Sequence, residues 1–408
     1  MPTTEGRLAA AARRLAGAEG VAELWPLLPE DTWLVGGCVR DAVLGRPLHD
    51  VDLVVPEPVA ALCRGLARRL GATHVVLDEV FDSHRLILAG GSHVDLTRQQ
   101  GVTLDEDLRR RDMTINAVAF RWPSDRAVGY GCWQDPCGGL DDMAAGRLRS
   151  ADPENWRADP LRLVRLYRLA AELGFALPED TRAEVRSLAP LLEAVPGERL
   201  WTELLRLVAA ADGERCWQAM GEDGMLAGLG WPEAGRAWRA ADPPLAPVAR
   251  IRIQAVAPEA VLEQLADRLR WSRAERRGAL ALVRALEGWQ AFPPEGGVSR
   301  LRWLYRLREA LRPLGLESAA ELRAVAGGDQ ALACCLAEVA DPALRPLQPP
   351  LLRGDQIVAR SGRLPGPWLG RLLEALAEEQ AVGTLVDADG AWTWVEARLS
   401  GASPEGAA

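Results

Sequence analysis

Two aspartates one residue apart, Asp50 and Asp52, open the valine-rich run Asp50-Val51-Asp52-Leu53-Val54-Val55. In a strand, residues two apart point to the same face, so this spacing sets two carboxylates side by side while Val51 turns toward a core. Paired hard oxygen donors suit Mg2+, and two-metal phosphoryl transfer needs ions roughly 3.5 to 4 Å apart, one activating the attacking oxygen and one holding the leaving phosphates. An isolated Asp-x-Asp is more often a solvated turn or a charged strand edge. The surrounding stretch is more specific: from Leu34 to Val55 it reads LVGGCVRDAVLGRPLHDVDLVV. A short apolar segment runs into Gly36-Gly37, a helical segment of about eight residues follows, and the acidic strand comes next. Gly36 and Gly37 carry no side chain to hold a triphosphate off their backbone amides, and a helix N-terminus favours negative charge.

The elements that must position these residues are short. Residues before Asp31 read as one helix, Arg7 to Leu15, and Pro58 to Leu70 as a second helix stopped by Gly71. Val75 and Val76, Arg85 to Ala89, and His93 to Leu96 supply short strands, so the first 140 residues alternate strands and helices around one sheet. Thr103 and Glu106 form a capping-box pattern ahead of Leu108-Arg109-Arg110-Arg111-Asp112. Beyond that point the pattern is almost wholly helical. Leucine and alanine recur at helical spacing, interrupted near Pro178, Pro196, Pro243, Pro293 and Pro346, without a fixed-period repeat.

A chain of 408 residues with 48% hydrophobic content is long enough for two to four units with real cores. No signal-like start and no apolar run of membrane-spanning length is visible, which leads to the expectation of a cytoplasmic protein with no membrane partner. Cysteines 38, 63, 132, 137, 216, 334 and 335 lack CxxC spacing and read as reduced thiols rather than a disulfide framework or zinc site. Histidines 49, 74, 84 and 93 are too few for a histidine-built hydrolase. A formal net charge of −9 argues against indiscriminate nucleic-acid binding. There is no lysine, so every fixed cationic side chain is an arginine, able to fork onto phosphates and stack on bases.

Gly36-Gly37, then Val39-Arg40-Asp41, Leu44-Gly45-Arg46, Asp50 and Asp52 together resemble the signature of the nucleotidyltransferase superfamily, and more narrowly the bacterial (class II) tRNA nucleotidyltransferase and poly(A) polymerase family. Arg110-Arg111-Asp112-Met113-Thr114-Ile115-Asn116-Ala117 resembles that family's RRDFTINA motif, with Met113 replacing Phe. Asp135-Pro136-Cys137-Gly138-Gly139-Leu140-Asp141 resembles its proline-glycine hinge, to which structural work alone is assigned. Asp159-Pro160-Leu161-Arg162, leading to Leu173-Gly174-Phe175, resembles its nucleobase-selecting motif EDxxR, with Ala158 where glutamate is usual. Glu198-Arg199 with Glu203-Leu204 resembles ERLxxEL, which braces the neck. Gly354-Asp355, Gly362, Pro365-Gly366-Pro367 and Gly370 resemble a closing element that suggests contact with an RNA acceptor stem.

The resemblance implies an α+β fold: a nucleotidyltransferase head with a mixed sheet (residues 1–140), then an all-α neck (141–208), body (209–345) and tail (346–408). It implies Mg2+ held by Asp50 and Asp52 as catalytic residues. It sets Gly36, Gly37, Arg40, Arg111, Asp112, Asn116, Asp159, Arg162, Arg165 and Arg168 against the nucleotide, with tRNA, CTP and ATP as partners. For base choice there is a chemical rationale. Cytosine and adenine share an exocyclic amine beside an unprotonated ring nitrogen, so a carboxylate can accept from the amine while a guanidinium donates to the nitrogen; uracil and guanine present the reverse. Read locally, Asp159 followed by Pro160 is also an ordinary helix N-cap.

Members that build a whole CCA end carry a flexible loop between the strand ending near Leu96 and the RRD motif. Here Thr97–Thr103 leads almost at once into a capped helix, which resembles relatives that add only two cytidines. Three alternatives stand beside CC or CCA addition. A poly(A) polymerase or A-adding enzyme shares every motif, although a basic C-terminal extension, absent from Gly401–Ala408, would favour the polymerase. A non-catalytic RNA-binding relative would be expected to lose Asp50 or Asp52. A generic helical interaction protein leaves the spacing of the first half unexplained.

Overall fold

In the computed structural model, which describes residues 4–18, 21–48, 50–121, 131–231, 245–290, 297–311 and 349–400, the run Asp50–Val55 is the central strand of a seven-stranded mixed sheet. The strands are β1 (Trp33–Val35), β2 (Asp50–Val55), β3 (Thr73–Asp78), β4 (Ser83–Ile87), β5 (His93–Arg98), β6 (Ala119–Arg121) and β7 (Cys132–Gln134), in the order β3-β4-β5-β2-β1-β6-β7. Only β2 and β5 run parallel; the other neighbours are antiparallel. Past Asp52, residues Leu53, Val54 and Val55 are all buried, which is why β2 reads as continuous valine and leucine rather than as an alternation. The α+β class expected from the sequence is the observed one.

The glycine pair does not form a turn ahead of a helix; it is the helix's first turn. The helix Gly36–Leu44 starts directly from β1, with Val35 extended at its N-cap and Gly36 at φ +71°, and it ends on Gly45 at φ +74°. A side chain at Gly36 would approach Asp52 Oδ2 at 3.1 Å and Arg111 Nη1 at 3.3 Å, so position 36 is restricted both by backbone conformation and by crowding. The helix Val59–Leu70, stopped by Gly71 at φ +63°, connects β2 to β3 and buries Val59, Cys63 and Leu66.

Three expectations needed correction. The segment before Asp31 is a helix, Thr4–Ala16, followed by a short helix, Val21–Leu24, and a 3₁₀ turn, Trp25–Leu27, rather than one helix. Strands β6 and β7 extend the sheet beyond β1 where only helix was expected, because β6 is three residues long and too short to show a period. At the predicted capping box, Thr103 accepts from the Glu106 N–H, but Glu106 reaches back to the Val102 N–H at 2.7 Å, one residue further than the motif requires.

The chain divides into two units, Met1–Leu229 and Gly230–Ala408. In the first, the helices Gly139–Ala145, Pro153–Ala158, Leu161–Leu173, Glu179–Leu188, Gly197–Ala209 and Gly213–Glu222 follow the sheet. The described part of the second is helical, and its last three helices, Gly354–Ser361, Pro367–Ala381 and Ala388–Leu399, close around Ile357, Leu372, Leu376, Ala391 and Val395. Cys38, Cys63, Cys132, Cys137 and Cys216 are free thiols. Among the described residues no helix is long and apolar enough to cross a membrane. His49, Cys334, Cys335, the breaks near Pro243, Pro293 and Pro346, and Gly401–Ala408 lie outside the described residues.

Candidate active site

Strand pairing decides which carboxylates meet. In the parallel ladder Asp52 lies opposite Asp95 and Asp50 opposite His93, whose Nδ1 is 3.5 Å from Asp50 Oδ1. Burial and the neighbouring Asp95 carboxylate raise the Asp52 pKa from 3.8 to about 6; Asp50 adds to the rise, while Arg111 and the Gly37 N–H oppose it. A half-buried carboxylate so crowded by negative charge favours a cation beside it. Asp95 is turned to Arg85, which donates Nε–H to Oδ1 at 2.7 Å and Nη2–H to Oδ2 at 2.8 Å. Among the described residues no three His, Cys, Asp or Glu side chains form a ready-made metal cluster. Two oxygen-donor carboxylates still fit Mg2+, which commonly takes one or two carboxylates and fills its remaining positions with substrate phosphates and water.

Beside this pair, a cleft of about 480 Å³ is lined by Gly36, Gly37, Asp52, Arg110, Arg111, Asp112, Asn116, Asp159, Arg162 and Arg165, among others. Arg111 is aimed by Asp107, which accepts Nη2–H at 3.0 Å and is itself buried. Asp112 is the hub of the next layer. Its Oδ1 accepts from Asn116 Nδ2 and from the Met113 N–H, both at 2.9 Å, and Arg165 Nη2 lies 2.9 Å from its Oδ2. Burial would raise the Asp112 pKa, but Arg165, the Asn116 amide, Arg162 and the Met113 N–H together hold it below the usual carboxylate range.

The segment from Asn155 to Arg162 is hooked onto the backbone of the RRD segment. Asn155 Nδ2 donates to the carbonyls of Arg109 and Arg111, Arg162 Nη1 to that of Arg110 at 2.8 Å, and Trp156 Nε1 to that of Asp112 at 3.0 Å. Four consecutive carbonyls are thereby satisfied by side chains, which ties the chain leading to Asp159 and Arg162 to the RRD segment. Asp159 does not cap the following helix. It is the first of the two residues, with Pro160, between the helices Pro153–Ala158 and Leu161–Leu173, and its carboxylate accepts from Arg199 Nη2 at 2.9 Å.

Of the residues singled out from the sequence, the cleft brings together Gly36, Gly37, Asp52, Arg111, Asp112, Asn116, Asp159, Arg162 and Arg165. Asp50 stands beside it on the same strand face, more exposed than Asp52. Arg40 and Arg168 are not part of its lining. Arg40 is bound to both oxygens of Asp41 and donates Nη1–H to Asn116 Oδ1, so it acts on the cleft through Asn116. Arg168 is held by Glu172 and by the buried Glu203, whose Oε2 is 2.6 Å from its Nε. Asp135 caps the helix Gly139–Ala145 by accepting from the Gly139 and Leu140 N–H groups, the structural duty expected of the hinge.

Sequence reading missed Asp95, Asp107, Gln100 and Phe81 as site residues, and gave Arg199 a role in bracing the neck without its contact to Asp159. Alternation in His93-Val94-Asp95-Leu96, with Val94 and Leu96 buried, could have marked Asp95 as facing away from the core. Its placement beside Asp52, however, depends on a parallel pairing between strands nearly forty positions apart.

Two family models match the chain: "Poly A polymerase head domain" over residues 32–149 and "Probable RNA and SrmB- binding site of polymerase A" over residues 174–234. The CC-adding tRNA nucleotidyltransferase of Synechocystis sp. is 40% identical over 203 residues, 49% of this chain and 47% of that protein. The A-adding tRNA nucleotidyltransferase of Deinococcus radiodurans is 30% identical over 419 residues, covering 88% of this chain and 93% of the relative. The chain thus spans about half the length of some curated relatives and nearly all of another. Among solved structures, a CCA-adding enzyme in complex with CTP aligns with a TM-score of 0.70 over 96% of this chain and 98% of its own, at 19% identity, a likeness of fold.

Proposed function

The chain belongs to the bacterial tRNA nucleotidyltransferase and poly(A) polymerase family, and from that premise we propose that it adds cytidine to the 3′ end of tRNA from CTP with release of pyrophosphate. One observation carries the reading: a single cleft is lined both by the carboxylate Asp52 with the glycine helix start and by the Asp159–Arg162 pair. A nucleoside triphosphate asks for both kinds of partner, one for its anionic chain and one for its base edge. Mg2+ at Asp50 and Asp52 would supply the positive charge that activates a tRNA 3′ hydroxyl and steadies the leaving phosphates. The amides of the first helical turn and the Arg111 guanidinium bind the triphosphate, where preorganised positive charge lowers the barrier. Asn116, held by Arg40, and Arg165 fix Asp112, so the layer under the nucleotide does not reorganise as charge moves.

Asp159 accepts from the cytosine amine and Arg162 donates to the ring nitrogen, which favours CTP and ATP over UTP and GTP. Addition stops at two cytidines in this reading because the segment that would have to enlarge the pocket is short and fastened. Gln99 donates its N–H to the Val55 carbonyl, Gln100 donates its N–H to Asp107 Oδ1 at 2.8 Å and its side-chain amide to the Phe81 carbonyl, and Glu106 holds Val102. A pocket closed around a pyrimidine then lacks a lever to admit a purine. Residues 1–140 act as catalytic head, 141–208 as neck, 209–345 as body and 346–408 as the tail that meets the acceptor stem, in a cytoplasmic protein.

The deciding experiment gives the purified protein with Mg2+ a tRNA lacking its CCA end, first with CTP and then with CTP plus ATP, and resolves product lengths. Extension by two nucleotides in both reactions is expected. A third, ATP-dependent nucleotide restores full CCA addition, and extension only with ATP on a tRNA already ending in CC makes this an A-adding enzyme.

A further inference from the structure

We infer that Arg199 is a positioning residue for base selection, holding the Asp159 carboxylate so that it faces the incoming base instead of collapsing onto Arg162; this deepens, and rests on, the reading of Asp159 and Arg162 as base readers. Asp159 lies in the corner between two helices at φ −137° and ψ 89°, so no helical turn restricts its side chain. Its predecessor is Ala158, which has no polar group to offer. An aspartate and an arginine three apart, in a cleft where burial presses on Arg162, would be expected to pair with each other. Each is held by a third group instead: Arg162 donates Nη1–H to the Arg110 carbonyl at 2.8 Å, and Arg199 donates Nη2–H to Asp159 Oδ2 at 2.9 Å. That leaves Asp159 Oδ1 able to accept from an exocyclic amine.

The helix Gly197–Ala209 is suited to this task. Arg199 and Glu203 are four residues apart and share a face, and Glu203, buried, grips Arg168 on the helix Leu161–Leu173. One face therefore anchors the Leu161–Leu173 helix through Glu203 and steers the residue just before it through Arg199. Arg199 is half exposed, so replacing it removes the steering without opening the core.

The test is nucleotide choice. For Arg199→Ala, Arg199→Lys and Asp159→Ala, kcat/KM is measured for CTP and for UTP on a tRNA lacking its CCA end. Arg199→Ala is expected to lower the CTP/UTP ratio about tenfold, Arg199→Lys to restore part of it, and Arg199→Ala in an Asp159→Ala background to change it no further. A purely bracing role would lower both values together and leave the ratio intact. A ratio that falls in Asp159→Ala but not in Arg199→Ala overturns the role given to Arg199 and keeps the base-reading pair. A ratio unchanged in both overturns the base-reading assignment and the inference with it.

Discussion

Arg85 forks onto both carboxylate oxygens of Asp95, at 2.7 and 2.8 Å, on the strand that pairs in register with Asp52. That contact tempers the charge next to Asp52 without cancelling it, since burial and Asp95 still lift the Asp52 pKa to about 6. Folding therefore raises this pKa. Between 3.8 and about 6 the folded state binds more protons than the unfolded one, so the associated stability is fully present below that window and lost by its upper end. The loss is at most about 3 kcal/mol. In EDTA, Asp52→Asn should raise the melting temperature relative to wild type at pH 8 and give no gain at pH 4. Adding Mg2+ at pH 8 should stabilise wild type, and the variant should lose that response. Equal melting curves for the two proteins at pH 8 would count against the buried-charge account.

Removing either carboxylate should stop chemistry and spare the fold. Asp50 is exposed and Asp52 borders the cleft, so neither truncation opens the core. Asp50→Ala and Asp52→Ala should each lower nucleotide incorporation by roughly a thousandfold or more, as expected when several kcal/mol of charge stabilisation is lost. Circular dichroism should be unchanged. Undiminished incorporation by either variant with Mg2+ present would remove the pair from the reaction.

Base choice should follow Arg162. Arg162→Ala is expected to admit UTP or GTP by roughly tenfold to a hundredfold relative to CTP, the range of one good two-point contact to a base. Incorporation ratios for the four nucleotides measure this. A loss of overall rate with unchanged ratios would make Arg162 a tether for the Arg110 carbonyl and nothing more.

Two glycines should respond in opposite directions. A Cβ at Gly139 would sit 2.1 Å from the Thr114 carbonyl oxygen, so Gly139→Ala must displace backbone next to the RRD segment. A loss of stability of about 3 kcal/mol or more in urea unfolding is expected. Gly65, exposed within the helix Val59–Leu70, has nothing within 4 Å of an added Cβ, and Gly65→Ala should gain roughly 0.5 to 1 kcal/mol.

The sequence by itself determined the local chemistry. Asp50 and Asp52 share a face because strand geometry has a period of two, Gly71 and Gly45 end helices because they accept positive φ, and the RRD and EDxxR-like segments are recognisable as words. The tertiary structure decided everything that joins distant segments. Asp95 reaches Asp52 only through a parallel ladder, β6 and β7 join the sheet without a period long enough to read, and Arg168 turned out to serve Glu203 rather than the cleft. Asp159 looked like a helix cap and became a carboxylate held by a residue forty positions on. The physical reason is common to all four. A residue's backbone preference is set by its immediate neighbours, whereas the partner of a charged side chain is set by which surfaces pack, and packing minimises exposed apolar area over the whole unit at once.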